Sequence, residues 1–154
     1  MPANKVREFL DAHNVKYVTI RHSQAFTAAD VAASVHVAGR DFAKTVMVWA
    51  GGGLAMVVLP ATRRIVLHDL REMLESPEAR LATETEFRDR FPDCEIGAMP
   101  PLGNLYGLPV YVAASLSTEP EIAFNAGTHT EVIKMAYADY EALVHPIVLE
   151  FITT

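Results

Sequence analysis

Cysteine is almost absent: Cys94 stands alone in 154 residues. That excludes an internal disulfide framework and any four-cysteine zinc site, and a chain of this length buries enough surface to fold without either. Long apolar runs are missing as well. The longest, Val46 to Pro60, is cut by Gly51-Gly52-Gly53, well short of the roughly 18–20 residues a spanning helix needs. Met1-Pro2-Ala3-Asn4-Lys5 leads into an amphipathic pattern rather than an apolar leader. The expectation is a soluble, cytoplasmic protein with no membrane partner. Basic charge is scarce, with 13 Lys and Arg against 19 Asp and Glu for a net charge of −6. This argues against a broad nucleic-acid surface, and DNA is not expected as a partner. No G-x-S-x-G, G-x-x-x-x-G-K-[ST] or G-x-G-x-x-G occurs, and six scattered histidines form no H-E-x-x-H pair. Neither a metal nor a cofactor is expected. Cys94 lies between Asp93 and Glu95, whose charges raise a thiol pKa and make a nucleophile there unfavourable.

With 51% hydrophobic residues the chain has ample material for a core. The length fits one domain over residues 1–154. Val6, Phe9 and Leu10 follow a helical spacing that Asn14 can stop, and Lys16 to Arg21 reads as a strand. Thr27, with Asp30 three residues on, starts a short helix carrying Val31 and Val35 on one face, which Gly39 would close. Lys44–Ala50 and Leu54–Leu59 form a hairpin through the three glycines, the first strand reading as buried on both faces. Leu67, Leu70, Met73 and Leu74 mark a helix ending near Ser76-Pro77, and Thr83 with Glu86 spells a capping box. A glycine-punctuated loop runs from Cys94 to Gly103. Strands follow at Leu108–Ala113, Glu121–Phe124 and Glu131–Ala136, then a helix from Tyr137 to Val144. Without a steady βαβ rhythm, this mixture predicts an α+β domain around a mixed sheet.

Three segments carry chemistry. Lys44 opens a strand that is otherwise apolar. Such a lysine either snorkels to water or sits as a partly desolvated amine at a pocket mouth, where it holds an anion or polarises a carbonyl. The Gly97–Gly103 loop either simply connects two strands or aims successive backbone N–H groups at an oxyanion while Pro100 and Pro101 limit its motion. Asn125-Ala126-Gly127-Thr128-His129-Thr130 is a small polar turn between apolar strands, and it sets Thr128 and His129 near a strand end. Charge is uneven: residues 1–77 carry +2 and residues 78–154 carry −8. Lys16, Arg21, Arg40, Lys44, Arg63 and Arg64 can therefore form a local basic patch on an acidic body.

Taken in order, His22-Ser23-x-x-x-Thr27-Ala28, Gly39-Arg40-x-x-Ala43-Lys44, Gly97-x-x-Pro100-Pro101-x-Gly103 and Gly127-Thr128-His129 resemble the YbaK/EbsC family. That family is also the editing domain inserted in bacterial prolyl-tRNA synthetases. The resemblance covers about residues 5–145. It implies a strongly curved, barrel-like mixed sheet flanked by helices, and a free-standing enzyme of translation fidelity that hydrolyses the ester of mischarged tRNA. It places the activity on Lys44, with Gly97 of the loop and His129 of the turn completing the catalytic set. Pro100, Pro101, Gly103, Gly127 and Thr128 would line the aminoacyl pocket. His22 and Thr27 would lie where the terminal adenosine enters, and Arg21, Arg40, Arg63 and Arg64 would meet RNA.

An aminoacyl ester is already activated, so a positioned water or the substrate's own ribose hydroxyl suffices as attacking group. The expected reaction is substrate-assisted deacylation of a small amino acid such as Ala, Ser, Thr or Cys, with tRNA(Pro) among the candidate carriers and Lys44 as anchor. The low basic charge confines RNA contact to the acceptor end, and a synthetase or elongation factor would suit as a partner that delivers it. Two other classes stay open: a module of the same fold that only binds a tRNA end or nucleotide, and a hydrolase of another activated ester such as an acyl-adenylate or thioester.

Overall fold

A computed structural model describes residues 2–23, 25, 27–150 and 152–154. Helix α1 (Pro2–Ala12) ends at Asn14, which takes the left-handed conformation (φ +55°) and lets the chain turn into β1 (Tyr17–Arg21). Helix α2 (Ala28–Ser34) starts as expected, with Thr27 Oγ1 accepting from the Asp30 amide at 3.1 Å. Its end is set by His36 (φ +58°) rather than Gly39. Gly39 instead opens a 3₁₀ turn against Thr62, whose Cγ2 would lie 2.5 Å from a Cβ at that position. The residue is glycine because of that approach.

The hairpin joins β2 (Ala43–Ala50) to β3 (Gly53–Pro60), with Gly51 and Gly52 both at positive φ as a tight hairpin turn requires. Helix α3 (Leu67–Met73), the two-residue strand β4 (Arg80–Leu81) and α4 (Glu84–Phe87) follow. Both halves of the Thr83–Glu86 capping box are formed. Beyond an irregular stretch and a 3₁₀ turn at Gly103–Tyr106 come β5 (Val110–Ala113), α5 (Ala114–Ser117), β6 (Glu121–Asn125), β7 (Glu131–Ala136), α6 (Tyr137–Val144) and β8 (Ile147–Leu149).

The class is the mixed one expected, but the strands divide between two sheets rather than one closed curve. One is antiparallel with order β1-β7-β6; the other is mixed with order β4-β2-β3-β5-β8, its β3, β5 and β8 running parallel. A parallel bridge from Phe42 to Ala123 joins their margins. The two sheets share one interior. Val6 and Leu10 of α1 pack there with Met47, Met56, Val58, Phe124, Ile133, Met135 and Tyr140.

Strand alternation sends the other residues to the opposite face. On the antiparallel sheet, that face is covered by α2 through Val31, Ala32 and Val35, against Phe42, Ala123 and Val132. On the mixed sheet it is covered by α3 and the segment after β8, through Leu70 and Ile152 against Val48, Val57 and Leu59. Strand β2 passes from one cover to the other, and between Lys44 and Ala50 only Met47 and Val48 are buried, so the strand is not buried on both faces throughout.

Candidate active site

Between those two covers lies Lys44. Phe42 belongs to the patch beneath α2, and Val46 packs on the patch beneath α3. Lys44 shares their face by alternation, at the gap. The parallel bridge sets the level: Lys44 stands two residues past Phe42, and Asn125 two residues past Ala123. Strand alternation therefore puts both on the face that carries Phe42 and Ala123. Asn125 is 8% exposed, and its Oδ1 is buried with no hydrogen-bond partner. A buried amide oxygen left empty costs about 1–3 kcal/mol and calls for a reason.

The Gly97 loop and the Gly127–His129 turn, far apart in sequence, are laced together. The Glu95 amide donates to the Gly127 carbonyl at 2.8 Å, and the Gly127 amide to Ala98 at 2.9 Å. His129 is buried, with Nε2 2.8 Å from the Ile96 carbonyl. A carbonyl only accepts, so Nε2 carries the proton and serves as a strut. The Glu95 carboxylate accepts from the His129 amide at 3.3 Å. Gly97 itself is exposed at φ +87°, and its N–H meets only the Met99 thioether at 3.3 Å. Thioether sulfur is a weak acceptor, so this amide can serve a stronger one.

The same segment is tied to the start of the α2 side. The His22 amide donates to Thr130 at 2.9 Å, and His22 Nδ1 lies 2.6 Å from the Ser23 carbonyl. The proton is then on Nδ1, which leaves the buried and unpartnered Nε2 as an acceptor. Thr27 is exposed and occupied as the α2 cap. Thr128 is half-buried, its hydroxyl 3.3 Å from that of Thr130.

Pro100, Pro101 and Gly103 lie in the interior. Tyr140 donates to the Pro101 carbonyl at 2.7 Å, and a Cβ at Gly103 would stand 2.5 Å from Val110 Cγ2 and 2.9 Å from the Leu108 carbonyl oxygen. These three anchor the loop rather than face an opening.

On its other side Lys44 borders a pocket of about 280 Å³ with Val46, Leu59, Arg64, Ile65 and Leu67. Burial, and then the Arg64 charge, hold the Lys44 pKa below that of a free lysine. Of the other expected RNA contacts, Arg21 stands 3.8 Å from Glu131, Arg40 stands 4.0 Å from Asp41, and Arg63 borders a separate hollow beside Ser115 and Leu149. They do not form one patch with Lys44; Arg64 does. Burial pushes the Cys94 thiol up to about 11, which keeps it protonated at neutral pH. On α3, His68, Asp69 and Glu72 bring ligand atoms within 4.8 Å of one another. His68 Nε2 lies 3.2 Å from the Glu72 carboxylate on the surface, and exposed acidic groups of this kind are common without an ion.

The sequence left Asn125 and Glu95 without roles. The signal for Asn125 was a polar amide ending an apolar strand. For Glu95 there was none, because its partner is 34 residues away. Among the described residues, no helix is long and apolar enough to cross a membrane.

Several solved structures share this fold. The hypothetical protein APE2540 superposes with a TM-score of 0.85 at 20% identity, over 97% of this chain and 99% of that one. A candidate trans-editing enzyme for prolyl tRNA synthetase gives 0.82 at 24% identity, over 97% and 95%. A chain from Marinobacter aquaeolei VT8, described as a candidate signal transduction protein, gives 0.75 at 16% identity; 95% of this chain matches 30% of that one. A comparison with curated proteins returns no match. The aminoacyl-tRNA editing domain family matches residues 22–143, which span the loop, the turn and Lys44 together. The chain belongs to the aminoacyl-tRNA editing domain family.

Proposed function

We propose that the chain is a trans-editing deacylase, one domain over residues 1–154, that clears a small amino acid (Ala, Ser, Thr or Cys) from mischarged tRNA in the cytoplasm. The observation that carries this reading is Lys44, a partly desolvated cation within the family match, on the same strand face as the buried Asn125 amide oxygen. A water oxygen attacks the ester carbonyl carbon, the bond to the ribose oxygen breaks, and that oxygen takes up the proton. Amino acid and uncharged tRNA leave. The ribose hydroxyl next to the ester orients the water, so no protein nucleophile is needed.

Lys44 anchors the acceptor end through its charge. The Gly97 amide, held at positive φ, donates to the developing oxyanion, where one such donor is worth about 10²–10³ in rate. His129 positions that loop through the Ile96 carbonyl. Asn125 Oδ1 and His22 Nε2 offer acceptors to the α-ammonium of the aminoacyl group, with Gly127 and Thr128 as the adjoining wall. Selection between amino acids that differ by a methyl group is worth only about 1–3 kcal/mol, which is why a panel is the right test.

The test is deacylation of tRNA(Pro) carrying Ala, Ser, Thr, Cys or Pro, together with the cognate tRNAs, by the parent and by Lys44→Ala. Lys44-dependent clearance of one or two mischarged species is the expected result. Turnover within a few-fold in Lys44→Ala overturns the anchoring role. No turnover of any species transfers the site to the binding class.

A further inference from the structure

The Gly97 loop opens with a turn whose type decides what it presents. The Ala98 amide closes on the Glu95 carbonyl at 3.1 Å, with Gly97 in third position at φ +87° and Ile96 not at positive φ. That is a type II turn. Types I and II differ by a half-turn of the central peptide, here the one joining Ile96 to Gly97. A trans peptide is planar, and its C=O and N–H point in opposite directions. Whatever holds the Ile96 carbonyl therefore also aims the Gly97 amide. In the type I form the two would exchange sides, and a carbonyl would replace the donor.

His129 Nε2 holds that carbonyl at 2.8 Å. Glu95 in turn holds His129. One carboxylate oxygen, Oε2, accepts from the His129 amide at 3.3 Å and stands 4.0 Å from its Nε2. The Glu95 backbone fixes the turn as well: its amide donates to Gly127 at 2.8 Å, and its carbonyl accepts the closing bond. Among the described residues no lysine or arginine pairs with Glu95, so no cation draws the carboxylate away. With 44% of that side chain exposed, water could solvate the carboxylate equally well. What the bond fixes is His129.

We propose that Glu95 is a positioning residue for deacylation: through His129 it latches the Ile96–Gly97 peptide in the orientation that presents the Gly97 amide. This rests on the reading of that amide as the oxyanion donor. Glu95 acts through another residue and touches no reacting atom. The interaction it protects is made in the transition state, so its loss lowers kcat and spares KM. Removing one oxyanion donor outright costs about 10²–10³ in rate. In Glu95→Ala the His129 ring bond is still present and the peptide flips only part of the time, so the expected loss is about tenfold to a hundredfold.

The test compares the parent with Glu95→Ala, Glu95→Gln and Glu8→Ala, the last removing an exposed carboxylate from α1. Gln keeps an oxygen that accepts from the His129 amide and discards the charge. Deacylation of the species that the parent clears gives kcat and KM, and amide hydrogen exchange followed by NMR reads the latch without substrate. Glu95→Ala is expected to lose about tenfold or more in kcat with KM within about twofold, while Glu95→Gln stays within about threefold of the parent and Glu8→Ala is unchanged. The His129 amide exchanges faster in Glu95→Ala and at the parent's rate in Glu95→Gln.

Unchanged kcat in Glu95→Ala overturns the latch, as does a loss confined to KM. A Gln variant as slow as the Ala variant overturns it too, since the charge and not the acceptor would then matter. So does a loss that only follows the folded fraction, with kcat per folded molecule kept. A parent that clears no charged tRNA, with the exchange result as expected, removes the editing reading and leaves the latch on the turn standing.

Discussion

At Lys44 the ammonium gives up part of its hydration to a pocket with aliphatic walls and then meets a second cation, and both effects depress its pKa. The sign of the consequence follows from linkage. A base whose folded pKa lies below its unfolded value destabilises the fold while it is charged, and the penalty lifts as pH rises through the folded value toward about 10.5. Lys44→Met is therefore expected to cut deacylation by about a hundredfold or more and yet raise Tm at pH 7 by about 1–2 °C, solvent screening keeping the gain small. The two melting curves should converge at pH 10 and above. A residue there only for packing would lower Tm when replaced. Gly97→Ala separates the loop's roles. At φ +87° an added Cβ costs about 1 kcal/mol in stability and meets the His129 ring at 3.4 Å. A fall in kcat well beyond the loss of folded protein is expected, read from single-turnover rates beside urea denaturation. Gly103→Ala should instead act on stability, by about 1–3 kcal/mol, because its obstacles include backbone. Lys44 was legible in the sequence because a lysine has no packing reason to open an apolar strand. Asn125 was not, since its sharing a face with Lys44 depends on a bridge between two sheets.

Elements with local determinants were readable. The Gly51-Gly52 turn, the Thr27 cap and the Thr83–Glu86 box each depend on residues within a few positions of one another. Short elements made only by pairing were not. Strand β4 has two residues and exists because Val48 and Trp49 lie beside it; β8 exists because β5 offers a parallel edge. The end of α2 was misplaced for a related reason. Gly39 looked like a terminator, but the close approach of Thr62 accounts for it. The capping box also has a pH signature. Glu86 is held at about 2 by Arg80 first, at 2.8 Å, and then by the Thr83 amide. A depressed carboxylate contributes stability above its unfolded pKa and loses it as pH falls through the folded value. Glu86→Gln should thus be less stable than the parent at pH 7, with the gap closing between about pH 4.5 and 2. Thr83→Ala should cost about 1 kcal/mol at either pH, apart from the share that Glu86 carries. Thermal melts at the two pH values check both.

Across the whole molecule, net charge −6 leaves no broad field to hold RNA. Salt dependence should be shallow, with each phosphate contact contributing about 1 to the slope. Arg21 and Arg40 face carboxylates at 3.8 and 4.0 Å, so reversing them should alter the slope less than Arg63→Glu or Arg64→Glu. Equal slopes for all four would mean that contact is spread over the whole basic half. The mixed class and the interior were anticipated from patterning; the division into two sheets was not, because strand order is set by contacts far apart in sequence. One such contact governs when the molecule can work. The wall that carries Arg64 is held by Ile152 and Thr154, on the far side of β3, β5 and β8 in chain order. During synthesis the hairpin with Lys44 emerges early, but its neighbour has nothing to pair with until Ile152 and Thr154 have followed it out of the ribosome. A nascent chain that has not yet exposed them thus passes close to charged tRNA with half a pocket.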